Sequence, residues 1–428
     1  MRVLIVGASG LIGSAVTARL TAEGNQVVAV GRRMEPGLTN IFQLRVDVAC
    51  AIEPDDWTKY LSGVDAVVNC AGVLQDSPGN STAGVHILGV AALFRACERK
   101  GIRRVVHLSA VGVDRETPTK FSRTKLAGDQ ELMKLDLDWV ILRPSVVVGR
   151  AAYGGSALLR GLASLPILPI MPHAAPLQIV HLDDVVDAIT FFLQPGAPSR
   201  CAVEVVGPKR QSFDEAVVMF RKWMRWPRTR LVRIPPWLGD TLYRLGDAVA
   251  LFGWHPPIRT TAGREMMRGA VGDPSQLMRL TGKVPRDLEA ELAREPASVQ
   301  ERWFARLYLL KPVVFGMFAL FWFTTGIVSL GPGWERGVQL VMEGGISETV
   351  AMGAVLSGGL ADLAIGAAIA FRRTARLGLY AALSISILYA IIGTILMPRL
   401  WLDPLGAMLK IGPIMVLNLV ALAILEDR

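Results

Sequence analysis

The chain has 428 residues, 51% of them hydrophobic and 19% charged, with a formal net charge of +9. That length implies roughly three structural units, and the deficit against the ~25% charge of an ordinary soluble domain excludes a disordered chain and argues against a purely soluble one. Four dispersed cysteines (Cys50, Cys70, Cys97, Cys201) with no CxxC pair exclude a disulfide scaffold or cysteine zinc site, and five scattered histidines (His86, His107, His173, His181, His255) with no HExxH argue against a histidine metal site.

Arg2 leads straight into the apolar run 3–6, which is too short for a signal-peptide core, so the N-terminal part is expected to stay in the cytoplasm. Candidate strands follow at 3–6, 26–30, 42–46, 66–69, 105–108 and 139–142. Amphipathic stretches at 11–23, 85–100 and 121–135 lie between several of them. Apolar strands alternating with helices predict an α/β domain whose parallel sheet is covered on both faces.

Gly7-Ala-Ser9-Gly10-Leu11-Ile12-Gly13 follows the first strand and opens the first helix. At a strand–turn–helix junction this glycine triplet is the mark of a dinucleotide site. Glycine lets the backbone approach a pyrophosphate, and the helix N-terminus supplies unpaired N–H groups and a positive dipole end. The second strand ends in Gly31-Arg32-Arg33, with no carboxylate to hold a ribose 2′-hydroxyl. Two guanidinium groups suit a 2′-phosphate, which favours NADP(H), with NAD(H) as the alternative; a merely solvated turn is the plain reading of the same pair. Asp47, after the third strand, is placed to accept from the adenine amine or to cap the next element.

Residues 151–310 are rich in Pro, Gly, Arg and Trp and predict a continuation of the first domain followed by a mostly helical lobe. From 209 to 306 there are 18 basic and 11 acidic residues. The segment 220–233, followed by Trp237, interleaves arginines with aromatics, a pattern shared by single-strand nucleic-acid binders and anionic membrane surfaces. The apolar runs that follow favour the membrane over nucleic acid.

Those runs are 312–330, 349–371, 377–397 and 405–425, charged only at Asp362 and Lys410. Each is long enough to cross a ~30 Å hydrocarbon core as a helix. Arg302, Arg306 and Lys311 precede the first, and Arg372, Arg373 and Arg376 separate the second from the third. The positive-inside rule then places the N-terminal domain, that loop and the C-terminus in the cytoplasm, giving a multi-pass protein of the inner or plasma membrane. Asp362 and Asn418 each lie thirteen residues into spans of the same direction, so a hydrogen bond between them is expected, as a proton or quinone-headgroup site or as helix glue. Gly358, Gly359 and Gly366 predict close helix packing.

The glycine triplet, Asn69-Cys70-Ala71-Gly72 after the fourth strand, Leu142-Arg143-Pro144-Ser145 after the sixth and His181-Leu-Asp-Asp184 resemble the short-chain dehydrogenase/reductase family, in its extended or atypical form. The resemblance covers about residues 1–300 and is strongest to the divergent branch that holds the NAD(P)H-binding accessory subunit of respiratory complex I. The tail resembles the DoxX-like membrane domain. Together these imply a doubly wound Rossmann-type sheet (1–206), a basic helical lobe completing it (207–310) and a four-helix transmembrane bundle (311–428). They also imply that Ala71, Gly72 and Pro144 border the cofactor.

The family's reaction uses Tyr-x-x-x-Lys on one helix face. The matching stretch here is Phe121-Ser-Arg-Thr-Lys125, so the lysine is kept and the phenol is lost. Ser109 matches the family's carbonyl-polarising serine, and His86 stands where the family places a helix asparagine. Ser122 and Thr124 project from other helix faces and are not ready substitutes. Two functions remain open: an oxidoreductase that moves protons through Lys125 with water or His86, or a nucleotide-binding component of a membrane complex that does not turn over. Lys125 has a plain role in either, bonding the nicotinamide ribose.

Overall fold

Six strands, β1 (Arg2–Val6), β2 (Gln26–Gly31), β3 (Phe42–Arg45), β4 (Ala66–Asn69), β5 (Arg104–Leu108) and β6 (Asp138–Pro144), pair in parallel with a seventh, Cys201–Val205. This computed structural model describes residues 1–33, 41–171, 174–404 and 406–425. From edge to edge the order is Cys201–Val205, β6, β5, β4, β1, β2, β3, the doubly wound arrangement. Successive side chains point to opposite faces of a strand. Val3 and Ile5 accordingly join one core layer with the α1 helix (Leu11–Ala22) and the Leu182–Leu193 helix, while Leu4 and Val6 join the other with the Gly89–Lys100 helix. The last four β1 side chains, Val3 to Val6, are fully buried, which is why they read as an unbroken apolar run.

The chain forms two compact units, Met1–Asp247 with Pro256–Ala305, and Ala248–His255 with Arg306–Arg428. Within the first, a third core layer gathers Val148, Leu159, Ala216 and Phe220. It underlies two small parallel ribbons, Val146–Val148 with Ile179–His181 and Ile167–Ile170 with Arg230–Arg233. The aromatic-basic segment is partly interior. Phe220 is fully buried, Arg221 donates to the carbonyls of Ala163, Leu165 and Pro227, and the Trp223 indole donates to the Glu295 carbonyl. Phe220, Arg221 and Met224 are thus buried, while Lys222, Arg225, Arg228, Arg230 and Arg233 stay exposed at the surface.

The second unit is helical. Among the described residues, three helices are long and apolar enough to cross a membrane: Val299–Leu330, Glu348–Ala370 and Ala375–Leu396. The first continues through Pro312, so the proline is no boundary. Among the described residues, the expected count of four is thereby corrected to three of that length. The fourth run forms only Ile411–Leu425, 15 residues or about 22 Å. Turns occupy residues 407–410 before it, and Leu405 lies outside the described residues. Gly359 and Gly366 do sit at close contacts. A Cβ at Gly366 would stand 2.9 Å from the Phe323 nitrogen, and one at Gly359 2.6 Å from Leu330. The expected Asp362–Asn418 bond is absent. Asp362 instead accepts from the Tyr389 hydroxyl at 3.2 Å, and both polar atoms of the fully buried Asn418 side chain lack a partner among the described residues. Sharing a depth did not bring the two side chains together, because helix rotation also decides which groups meet.

Candidate functional site

At the centre of the sheet the chain leaves β1 for β2 on one side and β4 pairs on the other, which opens the crevice where doubly wound sheets bind ligands. Gly7 turns there with φ +78°, and a Cβ on it would stand 2.8 Å from the Ala71 nitrogen. Its N–H and that of Ala8 both donate to the Val30 carbonyl, at 2.9 and 3.0 Å. A Cβ on Gly13 would fall 2.1 Å from the Gly7 carbonyl oxygen, so α1 packs against the loop at a distance only glycine permits. α1 has Gly10 as its N-cap, with no side chain to satisfy the first turn. The N–H groups of Leu11, Ile12 and Gly13 therefore point out of the helix end with no intrahelical acceptor. This cradle fits a dinucleotide pyrophosphate, with Ser9 beside Gly31 at its rim.

The residues expected around the ribose lie where the second and third strands end. Arg32 is exposed and donates to Asn80 Oδ1 at 2.7 Å and to the Gly79 carbonyl at 3.3 Å. Arg33 is exposed beside it. Asp47 is exposed and accepts the Ala49 N–H at 3.1 Å in a local turn; the next helix, Pro54–Thr58, is capped by Glu53 instead.

The Lys120–Met133 helix begins with a capping box between Thr119 and Ser122, so Ser122 is spent on the helix start. Phe121, Lys125 and Asp129 recur every four residues and share one face. Lys125 Nζ is buried and donates to the carbonyls of Leu108 at 2.8 Å and Ala71 at 3.3 Å. Burial pushes its pKa down to about 8, against the attraction of Asp129. A Cβ on Gly72 would meet Lys125 Nζ at 3.3 Å and His86 Nε2 at 3.6 Å, so Gly72 keeps this corner open.

His86 sits in a π-helical turn, Gly84–Leu88. Its Nε2 accepts the Val73 N–H at 3.0 Å and its Nδ1 lies 2.9 Å from Thr124 Oγ1, which itself donates to the Phe121 carbonyl. Nδ1 is thus the protonated nitrogen. Burial and the nearby Lys125 push its pKa down to about 2, so the ring is neutral at physiological pH. The Phe121 ring meets it edge-on, with centroids 5.6 Å apart. Thr124, expected on an unrelated face, is tied to His86.

Ser109 Oγ donates to Asp129 Oδ2 at 3.0 Å. Asp129 is fully buried and also accepts from Arg143 Nη2 at 3.1 Å and Nε at 3.3 Å. Arg143 Nη1 reaches Asp114 at 2.5 Å. Asn69 Oδ1 accepts the Ala71 N–H, which leaves Asn69 Nδ2 to donate to His107 Nδ1 at 2.9 Å. His107 Nε2–H then faces Asp129 Oδ1 at 3.5 Å. Burial opposes ionisation of Asp129, but hydrogen bonds from His107 and Ser109 and the charge of Arg143 outweigh it and hold its pKa below the usual range. Burial pushes the pKa of His107 down.

This network of buried Asn69, His107, Ser109, Asp129 and Arg143, closed by the exposed Asp114, was not anticipated as a unit. Asn69, Ser109 and Arg143 stood in the motifs read from the sequence, but the only spacing that pointed to Asp129 was the helical step from Lys125. The other expected neighbours are backbone participants. Pro144 accepts the Val111 N–H at 3.0 Å, and Ala71 contributes its carbonyl to Lys125. Cys70 is a thiol, its pKa pushed up to about 12 by burial.

Comparison with known proteins agrees with this geometry. Residues 7–160 match the NAD(P)H-binding family model, and residues 319–419 match the DoxX-like family model. An uncharacterized protein of Mycobacterium bovis is 28% identical over 187 residues, which are 43% of this chain and 19% of that protein. The NADH-ubiquinone oxidoreductase 40 kDa subunit of Neurospora crassa is 24% identical over 240 residues, 54% of this chain and 62% of the subunit. Sterol demethylase protein B of Methylococcus capsulatus is 25% identical over 331 residues, 71% of this chain and 99% of that protein. The chain thus spans about a fifth of the mycobacterial relative and under two thirds of the fungal subunit. Among solved structures, MoeE5 in complex with UDP-glucuronic acid and NAD shares the fold, with a TM-score of 0.52 at 21% identity over 68% of this chain and 97% of that one. The chain therefore joins an NAD(P)-binding domain of short-chain-dehydrogenase-like fold to a DoxX-like membrane domain.

Proposed function

We propose that the chain is a membrane-anchored NADP(H)-binding protein in which hydride-transfer chemistry is slowed by the missing phenol and depends on Lys125 for its proton. The observation that carries this reading is the Phe121/Lys125/Asp129 face. The helix that brings a proton donor to the cofactor crevice is in place, its lysine is buried with a pKa near 8, and the fourth residue before it is a phenyl ring. Bound NADP(H) would supply or accept the hydride. Gly7, Gly10 and Gly13 bind its pyrophosphate through backbone N–H groups, and Arg32 and Arg33 favour a 2′-phosphate through charge-assisted bonds.

Lys125 holds its ammonium against the Leu108 and Ala71 carbonyls, which leaves one of its three N–H donors for a ribose hydroxyl or a substrate oxygen. Ser109 directs its proton at Asp129, so it meets a substrate oxygen as a donor only after that bond yields. His86, neutral and bonded at both nitrogens, positions the Phe121 end of the helix and does not carry protons.

A second reading has its own support. With Ser109 and Lys125 both committed to internal acceptors, the site suits holding a nucleotide without consuming it. The name of the fungal relative fits a component of a membrane complex. Following NADPH fluorescence in detergent-solubilised full-length protein, with a panel of carbonyls and quinones, separates the two. Slow oxidation that Lys125→Ala abolishes supports the enzyme. Tight nucleotide binding with no oxidation in either form supports the binding component.

A further inference from the structure

We propose that Asn80 is a positioning residue for the 2′-phosphate of the cofactor: with the turn it ends, it holds Arg32 in place across the mouth of the nucleotide crevice. The proposal rests on reading the cofactor as NADP(H), and it adds a specificity element that lies outside the arginine pair after the second strand.

The turn follows from its own sequence. Ser77-Pro78-Gly79-Asn80 puts proline second and glycine third, the order a type II turn favours, because proline presets φ and the third residue needs a positive one. Gly79 has φ +88°. The Asn80 N–H donates to the Ser77 carbonyl at 2.9 Å and the Ser77 N–H to the Asn80 carbonyl at 3.1 Å, which closes the turn. Asn80 Nδ2 donates to Ser77 Oγ at 2.9 Å, so the amide is set with Oδ1 facing Arg32. Beneath the turn, Asp76 Oδ1 accepts the Thr82 N–H at 2.6 Å and the Thr82 hydroxyl at 2.8 Å, and Thr82 is buried. Arg259 donates to the Asp76 carbonyl at 3.1 Å, and Lys120 Nζ to the Asp76 carboxylate at 2.5 Å. The turn therefore stands on a fixed base.

Topology gives this turn its place. β1 lies between β2 and β4, and the glycine loop follows β1. Arg32 follows β2 and the turn follows β4, so a bond between them crosses the end of β1, a span of about 10 Å for two strand spacings. Arg32 Nη1 makes that crossing twice, to Asn80 Oδ1 at 2.7 Å and to the Gly79 carbonyl at 3.3 Å. Among the described residues nothing else bonds the guanidinium, so Nη2 and Nε remain, a two-donor edge that matches the oxygens of a phosphate. A loose arginine loses rotamer freedom when it clamps an anion, and one already held loses less. Asn80 is neutral, so it fixes Arg32 without setting a negative charge beside the phosphate, as a carboxylate would. Arg33 is exposed and has no such rest among the described residues, which makes Arg32 the stronger phosphate donor of the pair.

The test is a set of NADPH and NADH binding isotherms on the full chain in nanodiscs, for the wild type, Arg32→Ala, Arg33→Ala, Asn80→Ala and the Arg32→Ala/Asn80→Ala double variant. Asn80→Ala is expected to weaken NADPH several-fold and to leave NADH unchanged, and Arg33→Ala to weaken NADPH less than Arg32→Ala does. Because Asn80 acts through Arg32, the double variant is expected to bind NADPH no worse than Arg32→Ala alone. Equal weakening of both nucleotides by Asn80→Ala, or the same further loss on the Arg32→Ala background, would mean that the turn is only a scaffold and overturns the proposal. An Asn80→Ala variant that binds NADPH like the wild type while Arg32→Ala does not also overturns it, and leaves the NADP(H) reading standing. If Arg32→Ala itself leaves NADPH binding unchanged, the 2′-phosphate reading of Arg32 has failed and this proposal falls with it.

Discussion

Restoring the hydroxyl is the sharpest perturbation of the site. Phe121→Tyr adds one oxygen to a ring that is half-buried, stands edge-on to His86 and lies one helical turn before Lys125. The fold should tolerate it, because the residues fixing this stretch are the Thr119–Ser122 cap and the Thr124 bond to the Phe121 carbonyl, neither of which uses the ring. A cation beside a phenol lowers its pKa from ~10 by about 1–3 units. A positioned general acid contributes about 10²–10⁴ in rate, so the variant should oxidise NADPH about a hundredfold faster or more with its best carbonyl or quinone acceptor. The assay is stopped-flow NADPH fluorescence on matched amounts of full-length protein, with nucleotide affinity measured in parallel. An unchanged rate at unchanged affinity would refute the reasoning, because it would mean that the missing phenol is not what limits the chemistry.

Turnover that depends on the Lys125 ammonium should be present at neutral pH and fall as pH rises through about 8, and Lys125→Ala should remove that limb. Asp129 has a depressed folded pKa, so its contribution to stability is present above the unfolded value near ~3.9 and is lost as pH falls through the folded one. Asp129→Ala leaves the Arg143 guanidinium buried with Asp114 alone and should cost about 3–5 kcal/mol, read by denaturant melts of the detergent-solubilised protein; a loss under ~1 kcal/mol would show that the network is not structural. Arg32→Glu/Arg33→Glu should weaken NADPH binding at least tenfold with little effect on NADH, since each lost charged hydrogen bond is worth about 1.5–3 kcal/mol. Asn418→Leu removes two unpartnered buried polar atoms and should raise the melting temperature of the protein, whereas a lower value would mean that Asn418 has a partner in the bilayer.

Much of the fold was legible because its strands are buried on both faces. All six expected strands and the glycine turn occur where the apolar runs placed them. The seventh, Cys201–Val205, was missed: it is five residues long, carries Glu204 and pairs with a strand some sixty residues earlier. The buried network escaped for a related reason. His107, Asp129 and Arg143 come from β5, a helix and β6, and no local spacing links them beyond the helical step from Lys125 to Asp129. In the tail, hydropathy counted residues correctly but could not see that turns at 407–410 delay the last helix to Ile411. In the segment 220–233 one cation, Arg221, proved to cap backbone carbonyls of the core layer, which sequence cannot tell from an arginine left at the surface like Arg225, Arg228, Arg230 and Arg233.

The most direct measurement is a binding isotherm of NADPH to the full chain in nanodiscs, followed by energy transfer from tryptophan, for the wild type and for Gly13→Val. A Cβ at Gly13 would sit 2.1 Å from the Gly7 carbonyl oxygen, closing the cradle. The account predicts saturable binding to the wild type that the variant loses while remaining folded; no saturable binding to the wild type, or equal binding to both, would contradict it.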